Sequence, residues 1–449
     1  MPGVDPSLLA RLHLAHTREL AGAYARLAEA HGFDAVVLHS GRPKKRSSFD
    51  DQHFALRPTP HFQHWAPLCE ADCFVVVEGG KTPVLVWPSG LDFWERPRPP
   101  ESTHFLASFS VLRPVKAEDA PALRPRGRVA FVGEDAEVAS WFGEAQINPV
   151  GLLRDLDALR VTKSPYEIVC LDEANRVASI GHEAVRRAFF SGDASELELH
   201  LAFLGATRQD DPDTPYKNIV AKGENSAILH HIGYRRERSH EESLLLDAGA
   251  AFQGYCSDIT RTWIKGTNAA ASTFLGVVQA FEDMQKDLCT RAMAGLRYEE
   301  LHDESHRRVS RILADAKLVR LSPDEICERG ISRLFYPHGL GHSLGLQCHD
   351  VGCAVEKPRA DNPFLRNTSV IAEGQTFTIE PGLYFIDQKM QALRESPYAG
   401  SVDFTLLDAL SRLGGVRIED DLVAQAPGVP PQNLTRAYLP VGGGGEEAS

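Results

Sequence analysis

The stretch SLLLDAGAAFQGYCSDITRTW, Ser243–Trp263, decides how this chain is read. Leu244, Leu245 and Leu246 predict a buried strand, and that strand runs directly into Asp247. A turn-rich segment follows, and a second acid, Asp258, precedes another strand-like run. If the two runs pair, AGAAFQGYCS supplies the turn, with Gly249 and Gly254 as its permissive points. Folding back then brings two carboxylates together. In a half-buried site that is unfavourable unless a proton or a cation neutralises them.

The pattern recurs downstream. GQTFTIEPGLYF puts Glu380 at the end of a β-rich run that Pro381-Gly382 terminates. GGVRIEDDLVA alternates Val416 and Ile418 on one face with Arg417 and Glu419 on the other. Between these acids and the first two lies YPHGLGHSLGLQCHDVG, with His338, His342 and His349. Its glycines disfavour a continuous helix and predict a close-packed loop leading into a strand. Any one of these acids alone reads as a solvated turn residue or helix cap, and a lone histidine needs no metal to explain it. Jointly, acids that end or interrupt apolar strands predict four carboxylates and one imidazole around two divalent ions, about 3.5–4 Å apart. Oxygen-rich ligation with one nitrogen suits Mn(2+) best, with cobalt, zinc or iron as alternatives. A water shared by two such ions becomes a nucleophile near neutral pH.

The chain has 449 residues, which predicts two domains, and a formal charge of -13. That charge argues against nucleic acid or an anionic membrane as partner, since both require a basic footprint. No signal peptide or membrane span is read in it, and eight scattered cysteines without CxxC spacing predict a reduced, cytoplasmic protein. Leu9 to His31 has helical periodicity and stops at Gly32. DAVVLHSG, DCFVVVEGGKTPVLVWPSG and GRVAFVGE read as strands, the second as a pair split by a Gly-Gly-Lys turn. Ser164-Pro165 starts a long amphipathic helix, which places a boundary near Thr162. The expected organisation is an N-terminal α/β domain over 1–162, a mixed α+β domain over 163–440 carrying the chemistry, and a flexible glycine-rich tail over 441–449.

Taken together, DAGAAFQGYCSDITRTW, HGLGHSLGLQCHDVG, TIEPGLYF and RIED, in that order, resemble the pita-bread metallopeptidases, and within them the prolidase (Xaa-Pro dipeptidase) family. The resemblance covers nearly the whole chain. It implies a creatinase-like N-terminal domain followed by a pita-bread catalytic domain. It also implies Asp247, Asp258, His342, Glu380 and Glu419 as metal ligands, with Glu380 doubling as general base. By the same resemblance His349 contacts the scissile carbonyl, His230 is a further active-site histidine, and His338 lines the pocket. His231, next to His230, departs from the more familiar tyrosine. Arg366 matches an arginine that binds the dipeptide's free carboxylate, for which a bidentate guanidinium is suited. Arg417 either binds substrate or braces the metal carboxylates, and Tyr216 is a pocket candidate.

The stretches HSGRPKKRSSFDDQHF and LDFWERP are similar to the branch that also hydrolyses organophosphates. There Asp50 or Asp51, and Trp94, approach the neighbouring subunit's pocket, so a homodimer is expected. Cys348 and Cys353 depart from the family pattern without removing a ligand. The alternatives are aminopeptidase P, which accepts longer Xaa-Pro peptides, and a non-catalytic pita-bread binding protein; such relatives typically lose ligands, and here all five positions are filled.

Overall fold

A computed structural model of the chain describes residues 3–90, 100, 102–120 and 125–446. The chain divides into two units, Met1–Val169 and Cys170–Ser449. The division lies a few residues beyond the boundary expected near Thr162. Glu167 and Tyr166, in the first turns of the helix Pro165–Ser191, are tied to the first unit: Glu167 lies 3.5 Å from His64, and Tyr166 lies 3.2 Å from His104.

The first unit opens with the helix Pro6–Ala30, which Asp5 caps and Pro6 pre-organises. It starts earlier than the apolar periodicity alone indicates because that cap lies upstream of Leu9. A six-stranded mixed sheet follows, in the order Ser110–Leu112, Val84–Val86, Phe74–Glu78, Ala35–His39, Val129–Val132 and Gln146–Ile147. The strand pair read from DCFVVVEGGKTPVLVW is antiparallel, with Val76 opposite Val84. Val36 and Leu38 pack into one apolar cluster while Val37 joins another, so the sheet is covered on both faces and its central strand reads as continuous hydrophobic sequence.

The second unit carries the stretch from which the reading began. Ser243–Asp247 pairs antiparallel with Thr260–Ile264, in a four-stranded sheet with Ile219–Lys222 and Gly443–Gly444. Asp247 stands opposite Thr260, and the intervening chain makes a small hairpin of Ala251–Phe252 and Tyr255–Cys256. The two glycines divide the work differently from expectation. Gly254 takes a positive φ of 88°, beside Gln253 at 52°, and makes the turn. Gly249 instead permits a close approach: a Cβ there would lie 2.0 Å from the Ser257 carbonyl oxygen. Thr376–Ile379 pairs with Asp420–Val423, and Gly382–Leu383 pairs with Val416–Arg417. The histidine loop runs beside the first of these strands: the amide of Thr378 donates to His342 and the amide of Glu380 to Leu340.

Residues 442–444 correct the expectation of flexibility for the first part of the glycine-rich tail. Gly443 and Gly444 form a strand parallel to Thr262 and Trp263, and residues 442–444 are buried. A Cβ on Gly443 would meet the Thr262 carbonyl oxygen at 2.5 Å, and one on Gly442 would meet Glu282 Oε2 at 2.1 Å. Gly442 and Gly443 are needed there because the sheet edge leaves no space for their side chains, which a reading by composition does not distinguish from freedom.

Candidate metal centre

The sheet register brings the acids together. Asp247 ends its strand, Asp258 enters the strand opposite, and Glu419 forms an isolated bridge with Thr260. His342 comes from the glycine-rich loop, and Glu380 follows the strand that this loop accompanies. The ligand atoms of Asp258, His342 and Glu419 lie within 4.8 Å of one another. His342 Nε2 is 3.4 Å from Asp258 Oδ2 and 3.6 Å from Glu380 Oε1. Asp247 joins through Tyr216, whose hydroxyl lies 2.7 Å from Asp247 Oδ1 and 2.6 Å from Asp258 Oδ1. One phenolic proton thus serves two carboxylates, and burial with those charges pushes the phenol well up, so it stays a donor.

The electrostatics show what this cluster lacks. Burial and the other acids push Glu419 well above the usual carboxylate range. Burial raises Glu380 to about 7, against the pull of His342 and Arg417. Burial and Asp258 raise Asp247, despite Arg417. Asp258 is the exception: burial opposes its ionisation, but hydrogen bonds to His342, Cys348 and Tyr216 hold it at about 2. Burial would lower His342, yet Asp258 and Glu380 outweigh it and raise the imidazole to about 9. Four acids facing one imidazole and one guanidinium call for added positive charge.

The donor set fits divalent cations. The Nδ1–H of His342 donates to the Ser343 carbonyl at 3.1 Å, so Nε2 is the nitrogen that faces the carboxylates: it carries a proton towards them in the metal-free protein and is the one free to ligate an ion that displaces that proton. That is the orientation by which proteins prepare a histidine ligand. The separations of 3.4 and 3.6 Å are those of donor atoms sharing an ion at about 2.0–2.2 Å each.

A second layer holds the first. Arg417 is buried and donates from Nη2 to Asp247 Oδ2 at 2.5 Å, from Nε to Thr260 Oγ1 at 3.1 Å, and from Nη1 to the Tyr384 hydroxyl at 2.9 Å. Thr260 passes this support on, donating to Glu419 Oε2 at 2.7 Å. Of the two roles open to Arg417 in the sequence, these contacts fill the bracing one. Tyr384 also lies 2.9 Å from His338 Nε2. Because His338 Nδ1 donates to the Gly339 carbonyl at 2.8 Å, Nε2 accepts from the tyrosine. Burial, with Arg417 nearby, lowers this imidazole to about 3 and keeps it neutral. Tyr384 and Thr260 were not singled out from sequence, although Tyr384 stands within TIEPGLYF; no periodicity marks a tyrosine that joins an arginine to a histidine.

The remaining candidates divide. His349 packs edge-on to His342, with ring centroids 4.3 Å apart, and both His230 and Arg366 lie within its electrostatic reach. His230, His349 and Arg366 are exposed. His231 turns away to Glu196 at 2.9 Å, which explains its difference from its neighbour as a structural ion pair. Asp50 belongs to the first unit, where its carboxylate accepts from the Gln52 amide at 3.0 Å. Trp94 lies outside the described residues. No disulfide joins any of the eight cysteines. Cys353 sits buried beside Gln375, and Cys348 donates to Asp258 Oδ2 at 2.9 Å.

Sequence comparison agrees with this geometry. The profile of metallopeptidase family M24 matches residues 169–426, and that of the Xaa-Pro dipeptidase N-terminal domain matches residues 11–157. The chain belongs to the Xaa-Pro dipeptidase branch of metallopeptidase family M24. It is 38% identical over 444 residues to the Xaa-Pro dipeptidase of Pseudoalteromonas haloplanktis, covering 96% of this chain and 99% of that one. The Xaa-Pro dipeptidase of Aeromonas hydrophila is 36% identical over 443 residues, with the same coverage. Among solved structures, Escherichia coli aminopeptidase P with the inhibitor Pro-Leu superposes with a TM-score of 0.72 at 22% identity, covering 94% of this chain and 95% of that one. Proline aminopeptidase P II from Yersinia pestis gives 0.71 at 22% identity, covering 95% and 96%. These likenesses establish the pita-bread fold.

Proposed function

We propose that this protein is a dinuclear-metal Xaa-Pro dipeptidase, with Asp247, Asp258, His342, Glu380 and Glu419 as the ligands and Mn(2+) as the preferred ion. The observation that carries the reading is the convergence of these five side chains, with His342 Nε2 3.4 Å from Asp258 and 3.6 Å from Glu380, in a chain homologous to Xaa-Pro dipeptidases along its length. When bound, the ions supply Lewis-acid polarisation of the scissile carbonyl and an activated water.

The chain's own residues supply the rest. Glu380 receives and returns the proton at its carboxylate, which lies 3.6 Å from His342 Nε2 within the cluster. His349, held near 4 by burial and the adjacent His342, stays neutral at working pH and donates a hydrogen bond to the carbonyl oxygen as charge develops there. His230 completes that wall. Arg366 binds the free carboxylate of the C-terminal proline in bidentate fashion, and His338 lines the proline pocket with Tyr384 behind it.

A homodimer, in which the loop holding Asp50 and the 98% exposed Phe49 reaches a neighbouring subunit's pocket, belongs to the same proposal. Eight cysteines with no disulfide among them support a reducing, cytoplasmic setting. Organophosphate hydrolysis would be a side activity of the same centre.

The deciding experiment measures proline release from an Xaa-Pro dipeptide and cleavage of the matching Xaa-Pro-Xaa tripeptide, by metal-stripped protein with manganese restored. Manganese-dependent cleavage of the dipeptide alone is expected. In Arg366→Met, kcat/KM for the dipeptide should fall about 10- to 100-fold, the worth of a charge-assisted hydrogen-bonded pair. Preferential cleavage of the tripeptide would transfer the assignment to aminopeptidase P, and inactivity towards both, with metal bound, would end the peptidase reading.

A further inference from the structure

Cys348 touches the candidate metal centre without being needed by the peptidase chemistry. Its Sγ lies 2.9 Å from Asp258 Oδ2, the same oxygen that His342 Nε2 faces at 3.4 Å. The ligand atoms of His342, Cys348 and His349 all lie within 4.8 Å of one another. Two donors held by one ion at about 2.0–2.3 Å are separated by roughly 3.3–3.8 Å in tetrahedral geometry and by no more than about 4.4 Å. The His342 Nε2–Asp258 Oδ2 separation of 3.4 Å falls in that range, while the 2.9 Å thiol–carboxylate contact is a hydrogen bond that opens by about half an ångström when an ion replaces its proton. A merely space-filling thiol would meet apolar neighbours; this one meets a carboxylate and two imidazoles. It is partly exposed and so open to an arriving ion, and no disulfide engages it.

We infer that Cys348 is a metal-selectivity residue, which lets a thiophilic dication such as zinc or cobalt bind through its Sγ together with His342 Nε2 and Asp258 Oδ2. The inference rests on the metal centre proposed above. On ligation the S–H bond breaks, its proton passes to solvent, and the sulfur lone pair goes to the ion; no electron is transferred and no oxidant is required. Asp258 Oδ2 loses its thiol donor and gains the same ion. Hard ions gain little from sulfur, so the thiol tilts an oxygen-rich site towards zinc beyond its ordinary advantage over manganese.

The test uses the full chain, stripped of metal and loaded with Co(II), as wild type and as C348S. Visible d–d bands report cobalt in the centre, and a near-ultraviolet sulfur-to-cobalt charge-transfer band reports the thiolate. Wild type should show both. C348S should keep the d–d bands and lose the charge-transfer band. Its zinc-over-manganese affinity ratio, from competition titration, should fall about tenfold or more, since losing a direct ligand costs at least as much as losing an outer hydrogen-bond partner. Wild-type d–d bands without charge transfer, or an identical band in C348S, would overturn the inference while leaving the centre standing. Absence of every cobalt band would remove the centre and this inference with it.

Discussion

Arg417→Lys separates bracing of the metal carboxylates from substrate binding. In the wild type one guanidinium serves three acceptors on three segments: Asp247 Oδ2 at 2.5 Å, Thr260 Oγ1 at 3.1 Å and the Tyr384 hydroxyl at 2.9 Å. A lysine ammonium is a point donor on a flexible stem. It can keep the charge near Asp247 but cannot span the same fork. Two hydrogen bonds are then lost, at about 1 kcal/mol each, and the orientation of Asp247 and of Glu419, through Thr260, is loosened. Outer partners of this kind are worth about 10- to 100-fold in metal affinity, or roughly 1.4–2.8 kcal/mol. Calorimetric titration of stripped protein with manganese should show that loss. At saturating manganese the dipeptide KM should stay close to the wild-type value. If manganese affinity is unchanged while KM rises tenfold or more, Arg417 contacts substrate and the bracing argument is refuted.

Three further outcomes follow from the same structure. Glu419 is raised by burial and by neighbouring acids, so its ionisation destabilises the metal-free protein as pH rises from its ordinary range towards its raised value. Glu419→Gln should therefore raise the melting temperature in excess chelator at pH 8, lower it with manganese present, and lose the first effect near pH 4. His64, buried in the first unit and 3.5 Å from Glu167, is lowered by burial to about 4, against 6.5 unfolded. The unfolded chain then binds more protons between those values, so acidification from pH 7 to 4 should cost the wild type about 3 kcal/mol at this residue. Urea unfolding at both pH values should show a correspondingly smaller loss in His64→Leu. Gly249→Ala places a Cβ 2.0 Å from the Ser257 carbonyl oxygen and forces the hairpin open. A stability loss of about 1–3 kcal/mol or more, with weaker manganese binding as Asp258 moves, is expected from melting and titration.

Strands and the acids that cluster at their ends were legible in this chain because both leave local marks. SLLLD announces a buried strand that ends in an acid, and the acid is anomalous there unless something compensates it. EPG and the alternation in VRIED carry the same signal. What stayed hidden depends on tertiary contact. Nothing local distinguishes a glycine tail that is free from one wedged against Thr262 and Glu282, nor separates His230, exposed beside His349, from His231, turned to Glu196. Tyr384 is hidden for the same reason: its role arises only where Arg417 and His338 meet on its hydroxyl.

The run Glu419-Asp420-Asp421 shows how partners, rather than residue type, divide structure from chemistry. Three consecutive acids are all buried. Asp420 faces Arg261 at 3.0 Å and Arg436 at 2.6 Å, and these cations hold it far below the usual carboxylate range even though burial opposes its ionisation. It is a compensated charge, and removing either partner would strand it. Asp421, one residue on, accepts from Asn175 at 2.8 Å and from the Asp258 amide at 3.0 Å. It fixes the backbone that presents Asp258, which makes it a positioning residue. Glu419 accepts from a threonine hydroxyl, and burial with the neighbouring acids outweighs the pull of Arg417 on it. Of the three it alone combines direct placement in the cluster with no adequate compensation from the chain. A fold that neutralises Asp420 twice over yet leaves Glu419 so exposed to like charge makes sense when a cation completes the site, and the strand's alternation turns Glu419 towards that cation and Asp420 away from it.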